Sequence, residues 1–128
     1  MIYVDTSVVL AQLLAEDRCP PATLWHEPVL SSRLLAYEVW TRVHARGLTT
    51  SHGDAVRRLL GRLAWLELTP VVLARALEPW PAPVRTLDAL HLASIEFLRT
   101  QQPNVQLATY DDRLRTAAAR LGIPLMAL

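Results

Sequence analysis

Ile2-Tyr3-Val4-Asp5-Thr6-Ser7, followed by Val8 to Ala15, holds the pattern that decides how this chain folds. The first three residues form a short β-rich apolar run, and an acid follows at once. Beyond it Val9, Leu10, Leu13 and Leu14 recur at helical spacing. A strand that runs directly into a helix through an Asp is the opening half of a βαβ unit, and the unit repeats. Pro28-Val29-Leu30-Ser31-Ser32 reads as a second strand. A helix then runs from about Arg33 to Arg46, with Leu35, Val39 and Val43 at i, i+4 and i+8 and Gly47 as its stop.

Ser51 with Asp54 three residues on predicts a capping box that opens a helix through about Leu63. Leu66-Glu67-Leu68 reads as a strand, and 70–77 as a short helix before the proline-rich 79–83 connection. Leu87, Leu90, Ile95 and Leu98 share one side of a helix spanning 87–99. The 105–109 run is strand-like, Asp111-Asp112 start a helix that Gly122 ends, and 123–128 can supply a last strand. Strands alternating with helices predict a three-layer α/β/α sandwich around a mostly parallel sheet. Within 128 residues there is no repeat and no linker long enough to separate domains, so one domain over 1–128 is expected.

A hydrophobic content of 52% excludes a disordered chain. The formal net charge of +1 is not that of a strongly basic binder, so contact with nucleic acid would need a local patch. All 13 basic residues are Arg, which suits bidentate phosphate contact but equally reflects base composition in an Ala- and Leu-rich chain. Cys19 is alone, so neither an internal disulfide nor a multi-cysteine zinc site can form. The N-terminus lacks a basic region and reaches an acid at residue 5, which argues against a signal peptide; no apolar run approaches bilayer length. The expected location is the cytoplasm, without membrane attachment.

In parallel sheets of this kind, sites lie beyond the carboxyl ends of the strands, near the point where strand order reverses. Asp5 follows the first strand and Asp111 the 105–109 strand, so neighbouring strands would aim both acids into one crevice. Singly, each also reads as a helix N-cap, as does Asp88 before Ala89-Leu90-His91. Glu38 lies about 60° from Leu35 and about 100° from Val39 on the wheel, at the margin of the apolar stripe. It must snorkel, pair with Arg42 one turn on, or meet a cation. Two unit charges ~4 Å apart repel by roughly 4 kcal/mol at an effective dielectric of about 20. Four converging carboxylates therefore need protons or a divalent cation, and all-oxygen donors suit Mg²⁺ or Mn²⁺. Such an ion could activate a water for phosphodiester hydrolysis, provided the acids meet.

Four separated segments, in order and over essentially the whole chain, resemble the PIN-domain nucleases, in particular the VapC-like toxins of type II toxin–antitoxin modules. They are 2–7 with Asp5, Leu35-Ala36-Tyr37-Glu38-Val39, the 85–93 stretch with Asp88, and Leu107-Ala108-Thr109-Tyr110-Asp111-Asp112-Arg113-Leu114 with its Thr-x-Asp. The resemblance implies that Asp5, Glu38, Asp88 and Asp111 hold Mg²⁺ or Mn²⁺ and carry catalysis. Thr6, Ser7 and Thr109 would fix carboxylates and waters around them. Asp112 competes with Asp111 and is assigned as an auxiliary ligand or N-cap. The implied reaction is endonucleolytic RNA hydrolysis leaving a 5′-phosphate. A homodimer and a cognate VapB-like antitoxin are the implied partners.

Arg42 and Arg46 share a face with Glu38 and are candidate RNA-phosphate contacts, or simply an exposed charged face. His91 reads as a hydrogen-bonded core histidine; His26, His44 and His52 lack ligand spacing. Trp40 and Trp65 are expected to pack, and Arg57, Arg58 and Arg62 to be solvated. A haloacid-dehalogenase-like phosphatase needs an Asp where Ser7 stands, and both it and a phospho-receiver need a Lys. A PIN-like module that binds without cleaving, and a PIN nuclease of RNA processing, remain as alternatives.

Overall fold

A computed structural model describes residues 1–15 and 17–128. Its elements run β1 (Ile2–Val4), α1 (Thr6–Leu14), a 3-10 turn (Ala22–His26), β2 (Val29–Ser32), α2 (Leu34–Ala45) and α3 (Thr49–Leu60). They continue with β3 (Ala64–Leu66), α4 (Pro70–Ala76), α5 (Thr86–Arg99), β4 (Gln106–Ala108) and α6 (Asp112–Arg120). The four strands lie in the order β3-β2-β1-β4, and every pairing is parallel. Among the described residues no helix is long and apolar enough to cross a membrane.

Alternation along β1 divides the core in two. Ile2 and Val4 point to one face, where they meet Val8, Leu35, Val39, Val43 and Val56 from α1, α2 and α3. Tyr3 points to the other, among Leu92, Ile95, Leu107 and Leu114 from α5, β4 and α6. One cluster on each face makes the sheet the middle of three layers, as the βα alternation predicts. The i, i+4, i+8 stripe of α2 is wholly buried, and positive-φ Gly47 and Gly122 terminate α2 and α6.

Local departures have local causes. The helix expected from a capping box at Ser51 begins three residues earlier, at Thr49, with Leu48 rather than Ser51 as N-cap. Ser51 Oγ instead donates to the Leu48 carbonyl, and Asp54 pairs with Arg57. That helix also ends at Leu60 rather than Leu63, because β3 starts at Ala64 and not at Leu66: its register is set by pairing of Leu30 with Ala64 and Ser32 with Leu66. The expected last strand shrinks to a single bridge, Leu107 to Leu125.

The topology matters most at β1. The chain leaves β1 for β2 and β3 on one side, and returns through α4 and α5 to place β4 on the other. Strand order reverses at the β1–β4 boundary, where Ile2, Tyr3 and Val4 pair with Gln106, Leu107 and Ala108. A crevice opens beyond the carboxyl ends of these two strands.

Candidate active site

The crevice is a cavity of about 280 Å³ lined by Asp5, Glu38, Asp88 and Asp111, together with Thr6, Ser7, Arg42, Arg46 and His91. The four acids from four elements therefore face one space. Each arrives by a distinct local device.

Asp5 ends β1 and caps α1: Val8 N–H donates to its Oδ1 at 3.3 Å. Ser7 Oγ donates to the same oxygen at 2.6 Å, and Thr109 Oγ1 donates to Oδ2 at 2.7 Å. These two hydroxyls also accept backbone N–H groups, Ser7 from Tyr110 and Thr109 from Asp111, each at 2.9 Å. They thus clamp the β4–α6 turn onto Asp5, which fixes Asp111 relative to it. Burial raises the Asp5 pKa above the ordinary carboxylate value, and the Ser7 and Thr109 hydroxyls offset only part of that.

Asp111 caps α6, its Oδ1 accepting from Arg113 N–H at 2.9 Å and Leu114 N–H at 3.1 Å. Asp88 is not the N-cap expected of it: α5 starts earlier, with Arg85 as N-cap, and Asp88 is its third residue, accepting Arg85 N–H on Oδ2 at 3.1 Å. Burial pushes its pKa up, and the neighbouring Asp111 charge adds to the rise. Glu38 does not pair with Arg42. Its Oε1 lies 2.7 Å from His91 Nε2, across from α2 to α5.

Asp112 departs from expectation. It is exposed, does not cap α6 and does not line the cavity; Asp111 takes the cap and faces the space. Thr6 lines the cavity, but its hydroxyl bonds neither carboxylate: Oγ1 is buried without a hydrogen-bond partner. Arg42 and Arg46, one and two turns beyond Glu38, form a guanidinium wall beside the acids.

The residue that composition and spacing left in the core is His91. It is 3% exposed, yet it touches both Glu38 and the cavity. Burial alone would lower its pKa, but the Tyr3 hydroxyl and the Glu38 carboxylate outweigh that and push it up to about 10. The available sequence signal was its position, three residues after Asp88 on a helix whose first turn bears an acid.

Among the described residues, no three Asp, Glu, His or Cys side chains stand close enough to cage a metal unaided. The donor set fits a hard cation that keeps part of its water shell: carboxylate oxygens around an open space.

The PIN domain family model matches residues 2–120. The chain is 34% identical to "Ribonuclease VapC46" of Mycobacterium tuberculosis over 129 aligned positions, covering 98% of this chain and 96% of that protein. Among solved structures, Mycobacterium tuberculosis VapC20, described as a sarcin-ricin loop cleaving toxin, superposes with a TM-score of 0.70 at 21% identity. That match covers 91% of this chain and 95% of VapC20. FitAcB of Neisseria gonorrhoeae gives a TM-score of 0.64 at 18% identity, over 99% and 97% of the two chains. A parallel sheet in this order, with an acid-lined crevice at its switch point and a family match over nearly the full length, places this chain in the PIN-domain family, among the relatives of the VapC ribonucleases.

Proposed function

We propose that this chain is the toxin of a type II toxin–antitoxin pair and acts as a Mg²⁺- or Mn²⁺-dependent endoribonuclease. The observation that carries this reading is the meeting of Asp5, Glu38, Asp88 and Asp111 in one cavity. Carboxylates that repel one another there make a divalent cation the natural occupant. The 34% identity to a protein named as a ribonuclease supports RNA as the substrate, and the toxin reading follows from the VapC relatives.

In this reading Asp5, Glu38, Asp88 and Asp111 hold the cation directly or through water. When bound, Mg²⁺ or Mn²⁺ would supply an acidified water and polarise the scissile phosphate. Ser7 and Thr109 keep the Asp5 carboxylate aimed. Arg42 and Arg46 on the same wall take the flanking RNA phosphates, for which their planar forks are suited. A cognate VapB-like antitoxin that covers this cavity, and a homodimer, complete the assembly that the family implies.

The test is cleavage of total RNA by purified, antitoxin-free protein in Mg²⁺ and in Mn²⁺, with Asp88→Asn and chelator as controls. Wild type is expected to cut and both controls to fall to background. Equal rates for wild type and Asp88→Asn in both metals would refute the catalytic assignment.

A further inference from the structure

Glu38 differs from the other three acids in being mid-helix, with no helix end to fix it. What fixes it comes from the opposite side of the sheet. His91 Nε2 lies 2.7 Å from Glu38 Oε1, His91 Nδ1 lies 2.7 Å from the Tyr3 hydroxyl, and that hydroxyl accepts the Ser32 N–H at 3.2 Å. Tyr3 and Ser32 are both fully buried, and the Tyr3 and His91 rings meet edge to face.

Ser32 N–H donates to Tyr3 Oη, the Tyr3 hydroxyl meets His91 Nδ1, and Nε2–H donates to Glu38, so each of these buried polar groups has a partner. A phenylalanine would fill the apolar volume of Tyr3 equally well, so the hydroxyl is explained by its two hydrogen bonds rather than by packing.

We propose that Tyr3 and His91 are positioning residues for Glu38, and that this buried relay fixes Oε1 so that Oε2 is left for a cation, or a cation-bound water, in the cavity. The proposal rests on the metal reading of the acid cluster. It is the oriented-ligand arrangement run in reverse, with an imidazole holding a carboxylate instead of a carboxylate holding an imidazole. Tyr3 does not line the cavity, and its hydroxyl reaches Glu38 through His91.

The experiment is a double-mutant cycle on the full chain, with Mn²⁺ binding read from the electron paramagnetic resonance signal of the free ion. Tyr3→Phe should weaken Mn²⁺ binding about ten-fold, the loss typical for groups that orient a metal ligand. In the Glu38→Gln background the same substitution should change it by less than about two-fold, the scatter expected of independent sites. His91→Gln, whose amide can still donate to Glu38, should retain more affinity than His91→Leu, and this pair serves if Tyr3→Phe fails to fold. Equal weakening by Tyr3→Phe in both backgrounds, or His91→Gln and His91→Leu binding alike, overturns the relay while leaving the metal site intact. Absence of Mn²⁺ binding by wild type overturns the metal reading itself, and the relay with it.

Discussion

Asp111 offers the sharpest separation of structure from chemistry, because one oxygen is visibly structural. Its Oδ1 accepts the Arg113 and Leu114 N–H groups and starts α6, while the residue also faces the acid cavity. Three substitutions divide these roles. Asp111→Ala removes the cap, which costs about 1 kcal/mol, and the favourable charge at a helix N-terminus, roughly 0.5 kcal/mol more. For a chain of this size, that sum lowers Tm by about 5 °C. Asp111→Asn and Asp111→Ser keep an accepting oxygen, and Asn caps as well as Asp. Their melting points should stay within about 2 °C of wild type.

Metal binding and RNA cleavage should sort differently, with all three variants losing both. A further readout needs no metal. Burial and then Asp111 raise the Asp88 pKa, so carboxylate NMR should find Asp88 titrating at lower pH in every Asp111 variant than in wild type. If Asp111→Asn binds Mn²⁺ and cuts RNA like wild type, Asp111 is a cap alone. If Asp88 does not move, the two carboxylates do not share the cavity as described.

Two further outcomes follow from the Asp5 clamp. Burial raises the Asp5 pKa, so its charged form penalises the metal-free fold above that pKa, and the penalty vanishes below the ordinary carboxylate range. Metal-free Asp5→Asn should therefore gain in stability relative to wild type as pH rises from acid to neutral; melts showing a pH-independent difference would contradict this. Ser7→Ala removes both a donor to Asp5 and the acceptor for the Tyr110 N–H, for a loss of about 1–3 kcal/mol in urea melts. It should lower kcat more than KM, because the β4–α6 turn is released while Arg42 and Arg46 are untouched.

What was legible in the sequence was whatever a local period or a chain-adjacent signal encodes. The 2–4 and 106–108 runs, each ending near an acid, announced strands aimed at one crevice, and the apolar stripe of α2 announced a buried face. Ser51 and Asp54 have capping-box spacing, yet the start of α3 is set by the tight turn at Gly47 and the Leu48 N–H reaching back to the Val43 carbonyl. The C-terminal segment looked like a strand, but its pairing with β4 is confined to two backbone bonds, Leu107 to Pro124 and Met126 to Leu107. The Glu38–His91 contact joins residues 53 positions apart. Helical spacing offered Arg42 as the obvious partner, and only the packing of α2 and α5 near the same crevice could replace it.

Three of the four acids serve as helix-end acceptors while still facing the cavity. Asp5, Asp88 and Asp111 all lie at helix N-termini, of α1, α5 and α6, and each gives an oxygen to backbone N–H groups there. Three positive helix ends thus converge on the cavity that three negative charges line, and each end offsets part of the repulsion. Capping is how these carboxylates are held near one another and aimed into the cavity. Glu38, lying in the middle of α2, cannot draw on a helix end. A buried imidazole, itself held by a tyrosine hydroxyl on the central strand, takes that place, which is why the one acid without a cap is the one with a histidine.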